Sequence, residues 1–159
     1  MSTLTQKLRD EHAHLLPHIE TLRTTADSVG RTTPDTLGTA LAGLHTFLAE
    51  HLIPHAEAEE RVLYPAVARA MGAAEATATM SREHVEIGRL AGELDILRAT
   101  VHELDERRKA ALRRVLYGLY TLVKVHFAKE EEIYLPLLDQ RLSAQETEQL
   151  LTELAHSHR

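Results

Sequence analysis

Apolar residues recur at helical spacing along most of the chain, and no alternating run of β-branched residues competes with them. The spacing predicts long helices over residues 3–29, 34–71, 79–104 and 106–141, and a short last helix over 144–156. Pro17 and Pro54 fall inside predicted helices, and we expect each to kink its helix. Because the connections are short, neighbouring long helices should run antiparallel. The pattern therefore predicts one all-α domain over residues 1–159, an up-down antiparallel four-helix bundle with a short C-terminal helix.

Local signals mark several of the predicted helix ends. Thr33 followed by Pro34 is typical of an N-cap and a first helical residue, and Gly72 predicts the end of the second long helix. Ser143 and Glu146 form a capping box for the last helix.

Composition narrows the possible classes of function. The chain has 159 residues, a net charge of −6 and no cysteine, which excludes disulfides and thiolate metal sites. With no basic stripe and no Trp, we expect no nucleic-acid partner. No apolar run approaches a membrane span and no signal peptide is visible, so we expect no membrane partner and a cytoplasmic location. The unusual feature is eleven histidines.

The chain repeats itself in two halves. Glu-His is followed by an apolar residue three positions later in both halves, and each pair precedes a His-x-x-x-Glu motif by a similar distance. The repeated residues are His12, His55 and Glu59 in the first half and His84, His126 and Glu130 in the second. The repeat indicates two helix pairs related by a pseudo-two-fold axis.

Residues four apart lie on one helix face, and the faces of both His-x-x-x-Glu motifs are otherwise apolar. Buried carboxylates need a positive partner, and no matching Lys or Arg faces them. Metal cations would supply that charge, and imidazole with carboxylate suits iron, manganese or zinc. One alternative is that each motif is a solvated pair, which is the usual interpretation of a single His-x-x-x-Glu. Another is a ferritin-like di-iron protein, but those proteins use Glu-x-x-His rather than His-x-x-x-Glu. A metal-free interaction bundle is a further alternative, in which Glu59→Ala and Glu130→Ala would stabilise the protein.

The pattern H…HxxxE…H…HxxxE resembles the hemerythrin-like (HHE cation-binding) family, over roughly residues 8–138. The similarity includes the segments that end at Pro65 and Pro136. The resemblance implies six metal ligands: His12, His55, Glu59, His84, His126 and Glu130. It also implies two iron ions, oxo- or hydroxo-bridged.

The resemblance implies a function at this centre. We expect a protein that binds or reduces dioxygen, hydrogen peroxide or nitric oxide; any turnover would be that of a catalase-like or peroxidase-like oxidoreductase. The alternative is an iron-binding or sensing module without turnover. The sequence leaves the oligomeric state open.

Helix 3 departs from the invertebrate oxygen carriers of the family, which have a second histidine four residues after the first. Gly88 occupies that position here, so a fifth nitrogen could come from His18 or His51, or could be missing. His51 should lie inside the apolar stripe and His18 at its edge, so either could be a ligand, hydrogen-bond to one, or line the pocket. We expect His14 to be solvated.

For other polar residues near the motifs, we prefer core packing or a surface position to a role at the site. Tyr64 and Tyr134 could reach the site as hydrogen-bond donors, but core packing is the preferred interpretation. We expect a solvated face of Glu60, Glu131 and Glu132, and surface positions for His45, His102, His156 and His158.

Overall fold

The computed structural model describes residues 4–157, with the side chains described from residue 5 onward. Its α-helices are α1 (Leu4–Ser28), α2 (Pro34–Phe47), α3 (Ile53–Ala58), α4 (Tyr64–Met71), α5 (Ala78–Arg98), α6 (Glu106–Lys129), α7 (Leu135–Arg141) and α8 (Ala144–Ser157). Three π-helical turns join some of them into longer helices: Leu48–Leu52, Glu59–Leu63 and Glu130–Tyr134. The second long helix thus spans residues 34–71, and the fourth spans residues 106–141. The predicted all-α bundle is confirmed.

The four long helices pack around a shared core. α1 contacts α2 and α6, and α5 contacts α6 and α2, so the helices form a ring in chain order. The core has two hydrophobic clusters. One includes Ile19, Leu52 and Val123, and the other includes Leu8 and Leu135. Along α1, α3 and α6, the predicted site residues lie between these clusters and are therefore enclosed by apolar side chains.

The helix ends marked by local sequence signals agree with the structure. Thr33 caps α2 by accepting a hydrogen bond from the Thr36 backbone N–H, and Pro34 is the first residue of that helix. Gly72 ends α4 with a φ of 68°, a left-handed conformation that glycine adopts without steric cost. The capping box also forms, because Ser143 and Glu146 exchange side-chain-to-backbone hydrogen bonds.

The π-helical turns were not predicted. Each ends two residues before a proline, and each carries a bond from a backbone N–H to the carbonyl five residues earlier, for example Tyr64 to Glu59 and Leu135 to Glu130. Proline lacks an N–H and clashes with the carbonyl four residues before it, and a wider turn relieves that clash. Pro17 lies inside α1 without interrupting its α-helical structure.

The end of the third long helix differs from prediction. The third long helix was expected to reach residue 104, but α5 ends at Arg98 and a separate 3₁₀ turn, Val101–Glu103, precedes α6. The predicted start of the first helix at residue 3 lies outside the described residues. No helix within residues 4–157 has the length and apolar character needed to cross a membrane.

Candidate metal centre

The structure brings the six predicted residues together in the interior of the bundle. Five of them are at most 5% exposed, and the side chain of the sixth, His84, is 9% exposed. Each long helix contributes one histidine. Glu59 and Glu130 are the first residues of two π-helical turns, which places the two carboxylates at equivalent points of the repeat.

The ligand atoms fall into two groups that share one carboxylate. His12, His55 and Glu59 each offer an atom within 4.8 Å of the others, and so do Glu59, His84 and His126. Glu130 lies across both groups, because its Oε1 is 3.5 Å from Nε2 of His12 and 3.4 Å from Nε2 of His126. The arrangement offers two cation positions, each with two imidazoles, between two carboxylates.

Several buried atoms in this cluster lack a hydrogen-bond partner. They are Nε2 of His12, Nε2 of His55, both carboxylate oxygens of Glu59 and Oε1 of Glu130. An unsatisfied buried polar atom costs about 1–3 kcal/mol, so five together would offset much of the free energy of unfolding of a domain of this size. Imidazole nitrogens and carboxylate oxygens are ligands for iron, manganese and zinc, so the residues present fit a bound cation.

The charges of the cluster favour a cation as well. Burial raises the pKa of Glu59 well above its usual value, and the negative charge of Glu130 raises it further. Burial alone would raise the pKa of Glu130, but interactions with Glu59 and His12 outweigh it and hold that pKa below its usual value. Burial and the neighbouring His126 lower the pKa of His84, which keeps its imidazole neutral and able to donate a lone pair. Without a cation, the two carboxylates cannot both ionise at low cost.

An outer carboxylate orients each histidine. Nδ1 of His84 lies 2.7 Å from Glu60, and Nδ1 of His12 lies 3.1 Å from Glu131. The corresponding Nδ1 contacts are 3.3 Å from His55 to Glu11 and 3.0 Å from His126 to Glu83. A carboxylate at Nδ1 favours the tautomer with its proton there, which leaves the inward Nε2 unprotonated, with a lone pair that can bind a metal.

These outer carboxylates correct one prediction. Glu60 and Glu131 were expected on a solvated face, whereas each holds a histidine of the cluster; Glu132 is exposed, as predicted. No role had been assigned to Glu11 or Glu83. The signal was present in the repeat, because a glutamate directly precedes His12 and His84 and another directly follows Glu59 and Glu130.

Tyr64 also belongs to the cluster, although core packing was the preferred interpretation of this residue from the sequence. Its hydroxyl lies 2.9 Å from Nε2 of His126 and 3.3 Å from Nε2 of His84, and it donates to Glu130 Oε2 at 3.3 Å. Burial and the charges of Glu59 and Glu130 raise the pKa of Tyr64, so the phenol retains its proton. Tyr134 instead donates to the carbonyl of Ala76 and serves packing, as predicted.

The two further histidines lie outside both three-residue groups. His51 was expected inside the apolar stripe, but it is exposed, because the π-helical turn Leu48–Leu52 turns its side chain away from the core. His18 is also exposed, and its ring stacks on Phe47 with centroids 4.8 Å apart. His14 is exposed, as predicted.

The remaining histidines are mostly at the surface. His102 and His156 are exposed, as predicted, whereas His45 is half-buried beside Asp95. His158 lies outside the described residues.

The fold and the cluster together define a helical bundle with a buried cation-binding site of histidines and carboxylates. The family model described as the hemerythrin HHE cation binding domain matches residues 3–158. The chain therefore belongs to this family. No curated protein and no solved structure matches it.

Proposed function

We propose that the protein is a non-haem di-iron protein that binds or reduces an oxygen species at the buried cluster. The observation that carries the proposal is the set of five unpartnered buried atoms, in a cluster whose two three-residue groups share Glu59. Two ions are proposed because Glu59 belongs to both groups and Glu130 contacts one histidine of each. The choice of iron over manganese rests on the family.

Bound iron would supply electrons and an open coordination position for dioxygen, hydrogen peroxide or nitric oxide. The chain's own residues prepare that position. Tyr64 keeps a proton on its hydroxyl, close to Glu130 and His126, and can donate a hydrogen bond to an oxygen species. Phe127 stacks on His12 with centroids 3.9 Å apart, which helps exclude water from that side.

The proposed approach of a small ligand to the cluster is on the His84 side. A cavity of about 330 Å³ reaches His84, and its walls include Ile53, Val85 and Ile87. Gly88 lies in the same wall, and a Cβ added there would meet no atom within 4 Å. The position that carries a second histidine in the oxygen carriers is thus open space here, which suits a small, weakly polar ligand.

Metal analysis tests the proposal. Protein produced with iron and then desalted should contain about two iron ions per chain, consistent with a two-metal site. One ion or none in correctly folded protein would contradict the di-iron assignment.

Exposure of the reduced, iron-loaded protein to oxygen and to peroxide then identifies the reaction. A stable oxygenated spectrum indicates carriage, and steady gas evolution from peroxide indicates turnover. The alternative is an iron-binding or sensing module, which the five unpartnered atoms also favour because they link folding to metal. It predicts iron-dependent melting with no change on adding either oxidant.

A further inference from the structure

A second cavity, of about 280 Å³, opens beside the first pair of histidines, where α1 meets the π-helical turn Leu48–Leu52. His14, Glu50 and His51 line it at the surface, and Glu11 and His55 line it towards the cluster. We propose that this cavity is an uptake site, which captures hydrated ferrous ions and passes them to the buried centre. The inference rests on the proposed di-iron function and adds the route by which the metal arrives.

The residues at this cavity have the chemistry of metal ligands. Two carboxylates and three imidazoles line it, and no lysine or arginine is among its described lining residues. Carboxylates attract a hydrated divalent cation, and imidazoles can replace its water molecules one at a time. The cavity also accounts for a repeat in the sequence, because His51-Leu-Ile-Pro-His55 and His14-Leu-Leu-Pro-His18 both place a histidine at this surface.

The cavity is connected to the centre by a chain of ligand atoms. Glu11 Oε2 lies 3.3 Å from Nδ1 of His55, and Nε2 of the same imidazole lies 3.4 Å from Glu59 Oε1. His55 is only 5% exposed, so it separates the cavity from the interior. An ion held by Glu11 and Glu50 is therefore one side chain away from a carboxylate that both metal positions share.

Two other edges of the cluster are less suited to a hydrated cation. At the equivalent position in the second half, Lys129 donates a hydrogen bond to Glu83, the carboxylate that orients His126. That ammonium group would repel an incoming cation. At the His84 edge, Glu57 and Glu60 lie in the cavity wall, but most of the exposed wall surface is apolar.

The surface residues are also arranged to release an ion. Within residues 4–157, the groups of three or more ligand atoms that converge within 4.8 Å are the two in the buried centre, and none lies at this cavity. A site with dispersed ligands holds a cation weakly, while the buried cluster binds it with converging ligands. This difference gives the ion a direction of travel, from the surface inwards.

Cobalt(II) uptake tests the inference, because its visible absorption reports binding at the buried centre and needs no turnover. Metal-free protein is mixed with cobalt(II) in a stopped-flow instrument, and wild type is compared with the triple variant H14Q/E50Q/H51Q. All three positions are exposed, so the variant should fold. The control is H102Q/E132Q/H156Q, which changes the same residue types at exposed positions elsewhere.

The uptake variant should load about tenfold more slowly than wild type at low salt, since a charged cleft raises on-rates by at least that factor. Its final absorbance should be unchanged, and the control should load at the wild-type rate. Added salt should slow wild type more than the variant.

Equal rates for the uptake variant and wild type would overturn the inference while leaving the di-iron proposal intact. A lower final absorbance would also overturn it, because the substituted residues would then belong to the centre itself. Failure of wild type to bind cobalt(II) or iron(II) at all would instead overturn the proposed function.

Discussion

The two halves of the centre have equivalent histidines and glutamates but different surroundings. In the first half, His55 and its partner Glu11 line a surface cavity, and the hydroxyl of Tyr64 contacts the cluster. In the second half, Lys129 pairs with Glu83, and Tyr134 turns to a backbone carbonyl. The repeat therefore specifies the clustered histidines and glutamates, whereas access and proton donation depend on residues that the two halves do not share.

A one-residue offset explains the two tyrosines. Tyr64 directly precedes Pro65, but Leu135 directly precedes Pro136, and Tyr134 is one position earlier. One residue along a helix is a rotation of about 100°, so the two phenols face different directions. Leu135, the counterpart of Tyr64, is fully buried and apolar. The centre thus receives the hydroxyl of Tyr64 from the first half, whereas the equivalent residue of the second half has no polar group to offer.

The largest effect should come from the carboxylate that both groups share. Glu59→Gln removes an anionic ligand from each three-residue group, so we expect the desalted protein to retain no iron. Glu130→Gln should retain part of its iron, because Glu130 belongs to neither group. Iron content and iron-dependent melting measure both. If the two variants kept equal amounts of iron, the assignment of Glu59 as the shared ligand would be wrong.

Substitution of the two tyrosines should affect different properties of the protein. Tyr64→Phe removes the buried proton donor, and we expect the reaction with peroxide to slow by about 100-fold, a typical loss for a positioned proton donor. Tyr134→Phe should leave that rate unchanged and cost about 1 kcal/mol of stability through its lost hydrogen bond to Ala76. Stopped-flow kinetics and urea unfolding separate the two effects. Similar rates for both variants would exclude Tyr64 as a donor.

The outer carboxylates should show a smaller difference. Glu60→Gln should weaken iron binding by about tenfold or more, as loss of a carboxylate behind a metal-bound histidine commonly does. Glu131→Gln should have less effect, because its contact with His12 is 3.1 Å, against 2.7 Å for Glu60 with His84. Competition with a chelator gives the affinities, and Glu132→Gln is the exposed control. No change in Glu60→Gln would contradict its orienting role.

The smallest effect concerns the lysine of the second half. Lys129→Gln removes the ammonium group beside Glu83 and makes this edge more like the first half. We expect cobalt(II) uptake to become about two- to threefold faster, a modest case of electrostatic steering. Arg69→Gln removes a positive charge from the helix surface elsewhere and is the control. Slower uptake in the lysine variant would argue against repulsion at this edge.

Much of the fold could be predicted from local chemistry. Helical spacing, the caps at Thr33 and Ser143, and the stop at Gly72 each depend on a few neighbouring residues. The six clustered residues were found through the repeat. The π-helical turns were missed because each adds a single residue between stretches of regular α-helix, and apolar residues on both sides still recur at helical spacing, although Pro65 and Pro136 marked two of them.

The parts of the site that were missed depend on tertiary packing. Glu60 and Tyr64 lie at positions that a regular helix would also allow to be solvated or packed in the core. Their partners, His84 and His126, come from other helices, so no local pattern distinguishes the alternatives. His51 was misplaced for a different reason, since a π-helical turn alters the face on which it lies.

The way the clustered residues divide between the two helical hairpins sets the order in which the cluster can assemble. The first group, His12, His55 and Glu59, lies within one helical hairpin, which needs a single loop closure. The second group needs the same Glu59 together with His84 and His126 from the other hairpin, so it forms only when the two hairpins dock. The nascent bundle can therefore bring these three residues together early, and docking of the second hairpin completes the cluster.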